Sequence, residues 1–500
     1  GDALLTESEL LTFAANYLPR YLLPAAVARV DAFPLNNNGK IDFTALEKPV
    51  LTGGGDSPAD EVEEKLLAVW RKVLEREELD VHSDYFMSGG DSLNAVLMLL
   101  EVEKQFSRSI TVQELYANAT LRRLGNLIRG REIRPEVQRA EIRRASERNW
   151  YPVTPSQAGF YVMHQLDETK IGYNMPTAFH LSEWLDYPRL ERAFVRMIEE
   201  DTSLRTTFHI EDGRVIARVS PGTEFRMQWM ECGSTEEAMA GFVRPFDLTE
   251  GPLLRAAMLK LPDNEPYLLL DMHHIISDGL SSQLLLGRLN QYYQELPVSM
   301  PELDYIDYAW WVSEKISQEE DPCRAFWRKQ LPDKLPEREL TPDRPRPPVF
   351  DGAGGQYEFD LSPSLSERVA GFCEEQHVTP FVLLLAVYGL FLSRYSGSTE
   401  VVAGTPFSGR RRQHMEEMTG VFVQSLPVFM QAGPKETFTA YLDSVKQTVS
   451  GMLDHQEITL EELLEIAKTS RTRDRNPLFS VMFTMTPLKK RGYIDRKCEA

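Results

Sequence analysis

Apolar residues recur at helical spacing through residues 59–130, and this pattern predicts a series of short helices. A second helix is expected to begin near Ser92 and a third to cover residues 112–115. The stripes of the first and last helices are Val62, Leu66, Val69, Trp70 and Val73, and Leu121, Leu124 and Leu127. A segment of about 70 residues buries only a small core, so we expect a four-helix bundle here.

The pattern changes to mixed α/β from residue 150 to residue 500. Residues 267–270 (Tyr-Leu-Leu-Leu) have the composition of a buried strand, and residues 284–293 have that of a helix. This region is long enough for a separate, larger domain. The sequence therefore predicts a multidomain protein in which a small helical domain precedes a larger α/β domain.

Three further segments complete the predicted organisation. Residues 1–48 have an amphipathic stretch, an apolar strand and an Asn-Asn-Asn-Gly turn, which predict a small α/β piece. Residues 49–58 contain three consecutive glycines and two prolines and are typical of a flexible linker. Residues 131–149 carry six arginines and four glutamates, which is typical of a solvated linker or an exposed helix.

Composition excludes several function classes. Acidic residues outnumber basic ones by 75 to 55, and a net charge of −20 opposes binding to nucleic acid. The sequence contains no run of 18 apolar residues and no basic and apolar leader at its start, so neither a membrane span nor a signal peptide is expected. The four cysteines lie far apart, which favours reduced thiols and a cytoplasmic protein, and no metal site is expected.

The first candidate site is Ser92, within residues 89–93 (Gly-Gly-Asp-Ser-Leu). The two glycines allow another protein to approach closely. A serine near a helix N-terminus is also well placed to carry a phosphate group, because the end of the helix attracts negative charge. An N-cap serine, which suits any helix, is the alternative explanation.

The second candidate site is a histidine pair, His273 and His274, at the end of the apolar strand. Alternate strand residues point to opposite faces, so only one of the two can face a given channel. Imidazole titrates near neutral pH and suits proton transfer. Asp278 follows and could form an ion pair at the turn, and Gly279 would permit a tight bend and leave a backbone N–H near the chemistry. A structural role for the pair is the alternative.

Together these motifs resemble those of nonribosomal peptide synthetases. Residues 84–86 (Asp-Tyr-Phe) and 89–93 resemble the attachment site of a peptidyl carrier domain. Seven segments in order resemble the motifs of a condensation domain, and the third contains the histidine pair; they are residues 154–161, 204–208, 273–279, 305–310, 420–427, 455–457 and 473–479. Two positions depart from the family pattern: residues 200–202 (Glu-Asp-Thr) replace Arg-His-Glu, and residues 424–425 (Gln-Ser) replace Asn-Thr. These departures put local structural or tunnel contacts in doubt.

The resemblance implies a set of roles. Ser92 would bear 4′-phosphopantetheine, attached by a phosphopantetheinyl transferase, and the arm's thiol would hold an aminoacyl or peptidyl thioester. The condensation domain would have two lobes like chloramphenicol acetyltransferase, with a tunnel between them. His274 would act on the amine or position it, His273 would face away, and the Gly279 amide would help to stabilise an oxyanion.

The family fold also suggests a partner for Asp278. We expect Arg410 to pair with it beneath the active site, and a solvated arginine beside Arg411 and Arg412 is the alternative.

The ends of the chain suggest an excerpt of a longer synthetase whose partners are other modules. Residues 34–42 resemble the last motif of an adenylation domain, in which Lys40 would contact the amino acid and the adenylate.

Two other functions remain open: an epimerization domain, which shares the histidine motif, and a catalytically silent docking platform. Residues 280–282 (Leu-Ser-Ser) favour condensation over epimerization.

Overall fold

The structure is a computed structural model. It describes residues 58–485, except for positions 75, 87, 91, 132–141, 168, 223, 316–321, 333–334, 337–339, 341–342, 344–353, 413, 434–435 and 470–475. The predicted piece at residues 1–48, with Lys40, lies outside the described residues. The described residues form two compact units: the first holds residues 58–90, 117–131 and 359–380, and the second holds the rest.

The helical segments predicted before residue 131 are present. They are α1 (Glu61–Leu74), α2 (Ser92–Phe106), α3 (Val112–Ala117) and α4 (Leu121–Gly130). In the first unit α1 buries Leu66 and Trp70, and α4 buries Leu121, Leu124 and Ile128 rather than Leu127. The four helices follow the predicted pattern, while their packing as one bundle stays a prediction.

One charged cluster links α1 and α4. The Glu63 carboxylate is 2% exposed and lies 3.0 Å from the Arg129 guanidinium. Arg129 also lies 2.7 Å from Asp60. Buried charge is tolerated only when it is paired, so this cluster joins the ends of the two helices.

The second unit contains the mixed α/β region, where strands and helices are interspersed along the first part. They are β1 (Tyr151–Pro152), α5 (Pro155–Leu166), β2 (Thr177–His180), α6 (Tyr187–Glu200), β3 (Thr206–Glu211), β4 (Arg214–Val219), β5 (Gln228–Glu231), α7 (Thr235–Phe242), β6 (Leu254–Lys260), β7 (Pro266–Met272), α8 (Gly279–Tyr293), α9 (Tyr305–Lys315) and α10 (Pro322–Gln330). A short 3₁₀ turn, Ser203–Arg205, precedes β3.

Two sheets organise this part. One has the strand order β1-β4-β3, and the other has the order β2-β7-β6-β5, with β5 parallel to β6 and the remaining pairs antiparallel. β7 is the predicted strand, and it is an inner strand with all but one of its residues buried. Its apolar run forms the main core with α6 and α8. This burial fixes the end of β7, where the histidine pair begins.

The remaining elements are α11 (Pro363–Gln376), α12 (Pro380–Ser396), β8 (Glu400–Phe407), β9 (Gln424–Gln431), α13 (Phe438–Asp454) and α14 (Leu460–Ile466). β8 and β9 pair antiparallel over eight residues. In the described part of the chain, no single helix has the length and apolar character needed to cross a membrane; α11 and α12 reach that threshold only when they are taken together.

Candidate functional site

The histidine pair lies in the turn that directly follows β7. The backbone N–H of His273 donates to the Leu253 carbonyl at 3.0 Å, and that of His274 donates to the Tyr173 carbonyl at 2.8 Å. The His273 side chain is fully buried, whereas that of His274 is partly exposed. The two rings therefore differ in accessibility, although they do not point to opposite sides of a strand, because both residues follow β7 and both rings contact α5.

His273 is bound in one tautomer. Its Nδ1 accepts a hydrogen bond from the Ile275 N–H at 3.1 Å, and its Nε2 lies 3.1 Å from Nδ1 of His164. Because Nδ1 is an acceptor, the proton is on Nε2, which donates to His164. Burial, helped by the neighbouring histidines, lowers the pKa of His273 to about 3. His273 is therefore a buried, neutral group whose two ring nitrogens both have hydrogen-bond partners.

His274 presents its ring differently. The ring stacks on that of Phe160, with centroids 4.8 Å apart and planes 16° from parallel. Its Nδ1 is buried and has no hydrogen-bond partner among the described residues. A partly exposed imidazole with a fixed backbone can take or hold a proton.

Asp278 follows this turn in the chain as the N-cap of α8. One carboxylate oxygen accepts from the Ser281 N–H at 2.8 Å and lies 3.3 Å from the Arg410 guanidinium. The other accepts from the Phe422 N–H at 3.0 Å. The Asp278–Arg410 pair is thus confirmed, and the alternative of a solvated arginine is wrong because Arg410 is only 1% exposed.

Arg410 is surrounded by acceptors. Its guanidinium donates to the carbonyl oxygens of Met415 and Met418 and to the Ser281 hydroxyl. Burial lowers the pKa of Arg410, while the charge of Asp278 acts in the opposite direction. The pair joins α8 to the segment before β9.

Gly279 differs from the expectation. It is the first residue of α8, and it is not among the residues with left-handed backbone angles, so no tight bend requires glycine there. A Cβ at this position would meet no atom within 4 Å. Its backbone N–H belongs to the first turn of the helix, where such donors lack an intrahelical partner.

Each residue of the segment Thr419–Phe422 is hydrogen bonded to a residue in the first part of the domain. Thr419 bonds through its hydroxyl to the Asp201 carboxylate at 2.6 Å and through its carbonyl to the Ser203 hydroxyl at 2.7 Å. Gly420 bonds to Ser281, the Val421 carbonyl accepts from the Tyr305 hydroxyl at 2.7 Å, and the Phe422 N–H donates to Asp278.

Both departures from the family pattern have structural partners. Asp201, in residues 200–202, also pairs with Arg288 at 2.9 Å while it is buried. The amide nitrogen of Gln424 donates to the carbonyl oxygens of Gln456 and Ile458 at 2.8 and 3.0 Å. These residues therefore connect parts of the domain to each other.

Ser92 is the first residue of α2, as predicted. A 15-residue helix beginning at this serine suits a phosphodiester, because the helix N-terminus attracts negative charge. The local structure explains why both preceding residues are glycines. Gly89 has a φ of +102°, and a Cβ on Gly90 would lie 2.3 Å from the Tyr85 ring. They are required by the fold at this turn, whether or not another protein approaches. Asp91 lies outside the described residues, as do the first residues of the seventh motif.

Two residues of this site were not singled out from the sequence. Phe160 and His164 lie on α5 and contact His274 and His273, respectively. Their i, i+4 spacing places them on one helix face, but the sequence alone does not indicate that this face meets the histidines.

Two family models match the chain in the order that the motifs suggested. The condensation domain model matches residues 147–497, and the phosphopantetheine attachment site model matches residues 64–128. The chain therefore belongs to the condensation domain family and also carries a phosphopantetheine attachment domain. Its cofactor is 4′-phosphopantetheine, covalently attached to a serine.

Curated relatives are peptide synthetases. The chain is 34% identical over 488 residues to tyrocidine synthase 3 of Brevibacillus parabrevis, covering 96% of this chain and 8% of the relative. It is 31% identical over 497 residues to gramicidin S synthase 2 of Brevibacillus brevis, covering 97% of this chain and 11% of the relative. The chain thus spans about a tenth of the length of these relatives.

A solved structure has the same fold. A four-domain nonribosomal peptide synthetase bound to AMP and glycine superposes with a TM-score of 0.63 at 20% identity, over 69% of this chain and 27% of that chain. The condensation-domain architecture expected from the sequence, like that of chloramphenicol acetyltransferase, is thereby confirmed at the level of the fold.

Proposed function

We propose that this chain is part of a nonribosomal peptide synthetase in which Ser92 tethers an aminoacyl or peptidyl thioester and the His274 domain joins it to a downstream amine. The observation that carries the proposal is the geometry of His274. Its ring is partly exposed, stacks on Phe160 and follows a fully buried histidine directly in the chain.

The cofactor supplies a flexible thiol that presents the acyl group as an activated thioester. The remaining roles belong to residues of this chain. Ser92 gives the phosphodiester a position at the start of α2, where it needs no neighbouring base. His274 would bind the attacking amine and take its proton as the new C–N bond forms; the C–S bond of the thioester then breaks, and the proton passes to the departing thiol sulfur.

The neutral state of His273 supports this role. A positively charged neighbour would oppose protonation of His274, and His273 contributes no such charge because its pKa lies at about 3. The Gly279 N–H, at the start of α8, is a donor that would stabilise a developing oxyanion, whereas the Ser281 N–H in the same turn already donates to Asp278.

The partners follow from these roles. Carrier-bound aminoacyl or peptidyl thioesters are the substrates, other synthetase modules supply the downstream amine, and a phosphopantetheinyl transferase attaches the cofactor. A cytoplasmic location agrees with the cysteines, because Cys232, Cys323 and Cys373 are free thiols.

Intact-protein mass spectrometry tests the tether. The wild-type chain should gain the mass of phosphopantetheine when incubated with coenzyme A and the transferase, whereas Ser92→Ala should gain none. Ser109→Ala is the matched control and should load normally. An alanine variant at position 92 that still gains the mass would place the tether elsewhere.

A second experiment tests bond formation. The donor is loaded on the carrier, an aminoacyl thioester is supplied as acceptor, and the product is analysed for its mass and for the chirality of its α-carbons. A new amide supports the proposal. Inversion of the donor α-carbon without an amide would identify an epimerization domain, and loading without either product would identify a silent platform.

A further inference from the structure

Helix α5 contacts both histidines of the pair with two side chains that lie one turn apart. Phe160 stacks on the His274 ring, and His164 is hydrogen bonded to the His273 ring at 3.1 Å. Because residues i and i+4 lie on the same helix face, a single surface of α5 meets both imidazoles.

We propose that Phe160 is a positioning residue that sets the ring plane of His274, an inference that rests on the function proposed above for His274. The His274 backbone is fixed by its bond to the Tyr173 carbonyl, but its buried Nδ1 has no hydrogen-bond partner in the described part of the chain. In many catalytic sites a hydrogen bond to the second ring nitrogen orients the histidine. Here the near-parallel ring of Phe160 is the contact that can do so.

The Phe160 ring is itself well fixed. It packs edge-on against Tyr173 at 5.0 Å and 77°, and Tyr173 is the residue whose carbonyl accepts the His274 N–H. The three rings therefore form one connected set. A rotation of the Phe160 ring would disturb its contacts with both neighbours.

The start of α5 is anchored to the same turn. Thr154 and Gln157 form a reciprocal capping box, and the Gln157 amide also donates to the Ile275 carbonyl at 3.3 Å. The Thr154 hydroxyl lies 3.0 Å from that of Tyr305. These bonds fix the helix relative to the histidine turn, so Phe160 is held at a fixed position relative to His274.

Substitutions separate orientation from simple packing. Phe160→Leu retains an apolar side chain but removes the flat ring, and kcat for amide formation should fall about tenfold with little change in KM. Phe160→Tyr keeps the ring and should restore kcat. The matched control is Phe179→Leu, because Phe179 is likewise partly buried against the main core but lies in β2; its kcat should stay within about twofold of wild type.

Nuclear magnetic resonance gives a readout that does not depend on activity. The chain has nine histidines, so histidine-labelled protein gives few ring signals, and the His274→Gln variant assigns the one of interest. The His274 ring signals should be displaced by the adjacent aromatic ring in the wild type and in Phe160→Tyr, and this displacement should be lost in Phe160→Leu.

Two results would overturn the positioning role. One is an unchanged His274 signal in Phe160→Leu, and the other is an unchanged kcat in that variant when wild-type activity is present. If the wild-type chain forms no amide, the proposed function fails, and the ring-signal comparison alone decides whether Phe160 orients His274.

Discussion

Ser281 and Gly420 bind each other in both directions. The Ser281 hydroxyl donates to the Gly420 carbonyl at 2.7 Å, and the Gly420 N–H donates to the same hydroxyl at 3.0 Å. The Arg410 guanidinium donates to this hydroxyl as well, at 2.7 Å. Ser281 therefore connects the first turn of α8 to the Asp278–Arg410 pair and to the segment before β9.

Gly420→Ala should destabilise the protein by about 1–3 kcal/mol. The glycine has a φ of +155°, and a Cβ there would lie 1.9 Å from the Tyr305 ring, which is buried and hydrogen bonded. Chemical denaturation measures the loss. The control is Gly287→Ala in α8, where a Cβ meets no atom within 4 Å, and its stability should be unchanged or slightly higher. Equal stability of the two variants would contradict the steric argument.

Asp278→Ala should lower the free energy of unfolding by about 3–5 kcal/mol. The substitution leaves the Arg410 guanidinium buried without its counter-charge and also removes the N-cap of α8. Thermal unfolding is the measurement. Glu211→Ala, which breaks an exposed pair with Arg218, should cost less than about 1 kcal/mol and serves as the control. An Asp278 variant that melts normally but is inactive would indicate a direct chemical role instead.

The two histidines should respond differently to alanine substitution. His274→Ala should reduce amide formation by about 100-fold or more if proton transfer limits the rate, with normal carrier loading and a melting temperature near that of the wild type. His273→Ala should mainly lower the melting temperature, because it removes a fully buried ring and leaves the Ile275 N–H without its acceptor. The comparison requires both melting curves and turnover; a reversed pattern would exchange the roles of the two residues.

Asp304→Asn should stabilise the protein at pH 8 more than at pH 5. Burial, helped by Asp201 and Asp307, raises the pKa of Asp304 to about 6 from the usual 3.8. A raised carboxyl pKa means that the folded state binds the proton more tightly, so stability falls as pH rises from about 4 through 6. The asparagine removes this cost, which amounts to about 1–3 kcal/mol above pH 6, and it can still accept from Thr202.

Denaturation of the wild type and of Asp304→Asn at the two pH values tests the direction of this pH dependence. The difference between the proteins should be larger at pH 8. A stabilisation that is the same at both pH values would show that the charge of Asp304 is not responsible.

Much of the site could be predicted because its signals are local. The apolar run before His273 predicts β7, and strand alternation predicts that one histidine is buried while the other is accessible. The Ser92 helix start follows from the same kind of pattern. The tight bend predicted at Gly279 is wrong. A glycine between a turn and a helix suggests such a bend, but Gly279 is not among the glycines with a positive φ.

The remaining contacts depend on residues far apart in the chain. Ser281 and Gly420 are separated by 139 positions, and no periodicity connects them. The partners of Asp201 and Gln424 could not be predicted either, since each replaces a family residue and bonds to a distant segment. Phe160 and His164 had the spacing of one helix face, but only the packing of α5 shows what that face contacts.

The attachment of Thr419–Phe422 limits where this domain can be divided. Its partners lie in residues 201–305, so a fragment ending between residues 305 and 419 would expose or orphan the buried Asp201 and Asp278 carboxylates. Such a fragment should not fold alone, and hybrid synthetases with a junction in this interval should assemble poorly unless both sides come from the same parent. A junction within residues 131–141 keeps all of these bonds inside one parent and is the better choice for recombining modules; residues 142–149 are unsuitable because Ile142 is buried and the Ala145 N–H donates to Asp307 at 2.7 Å.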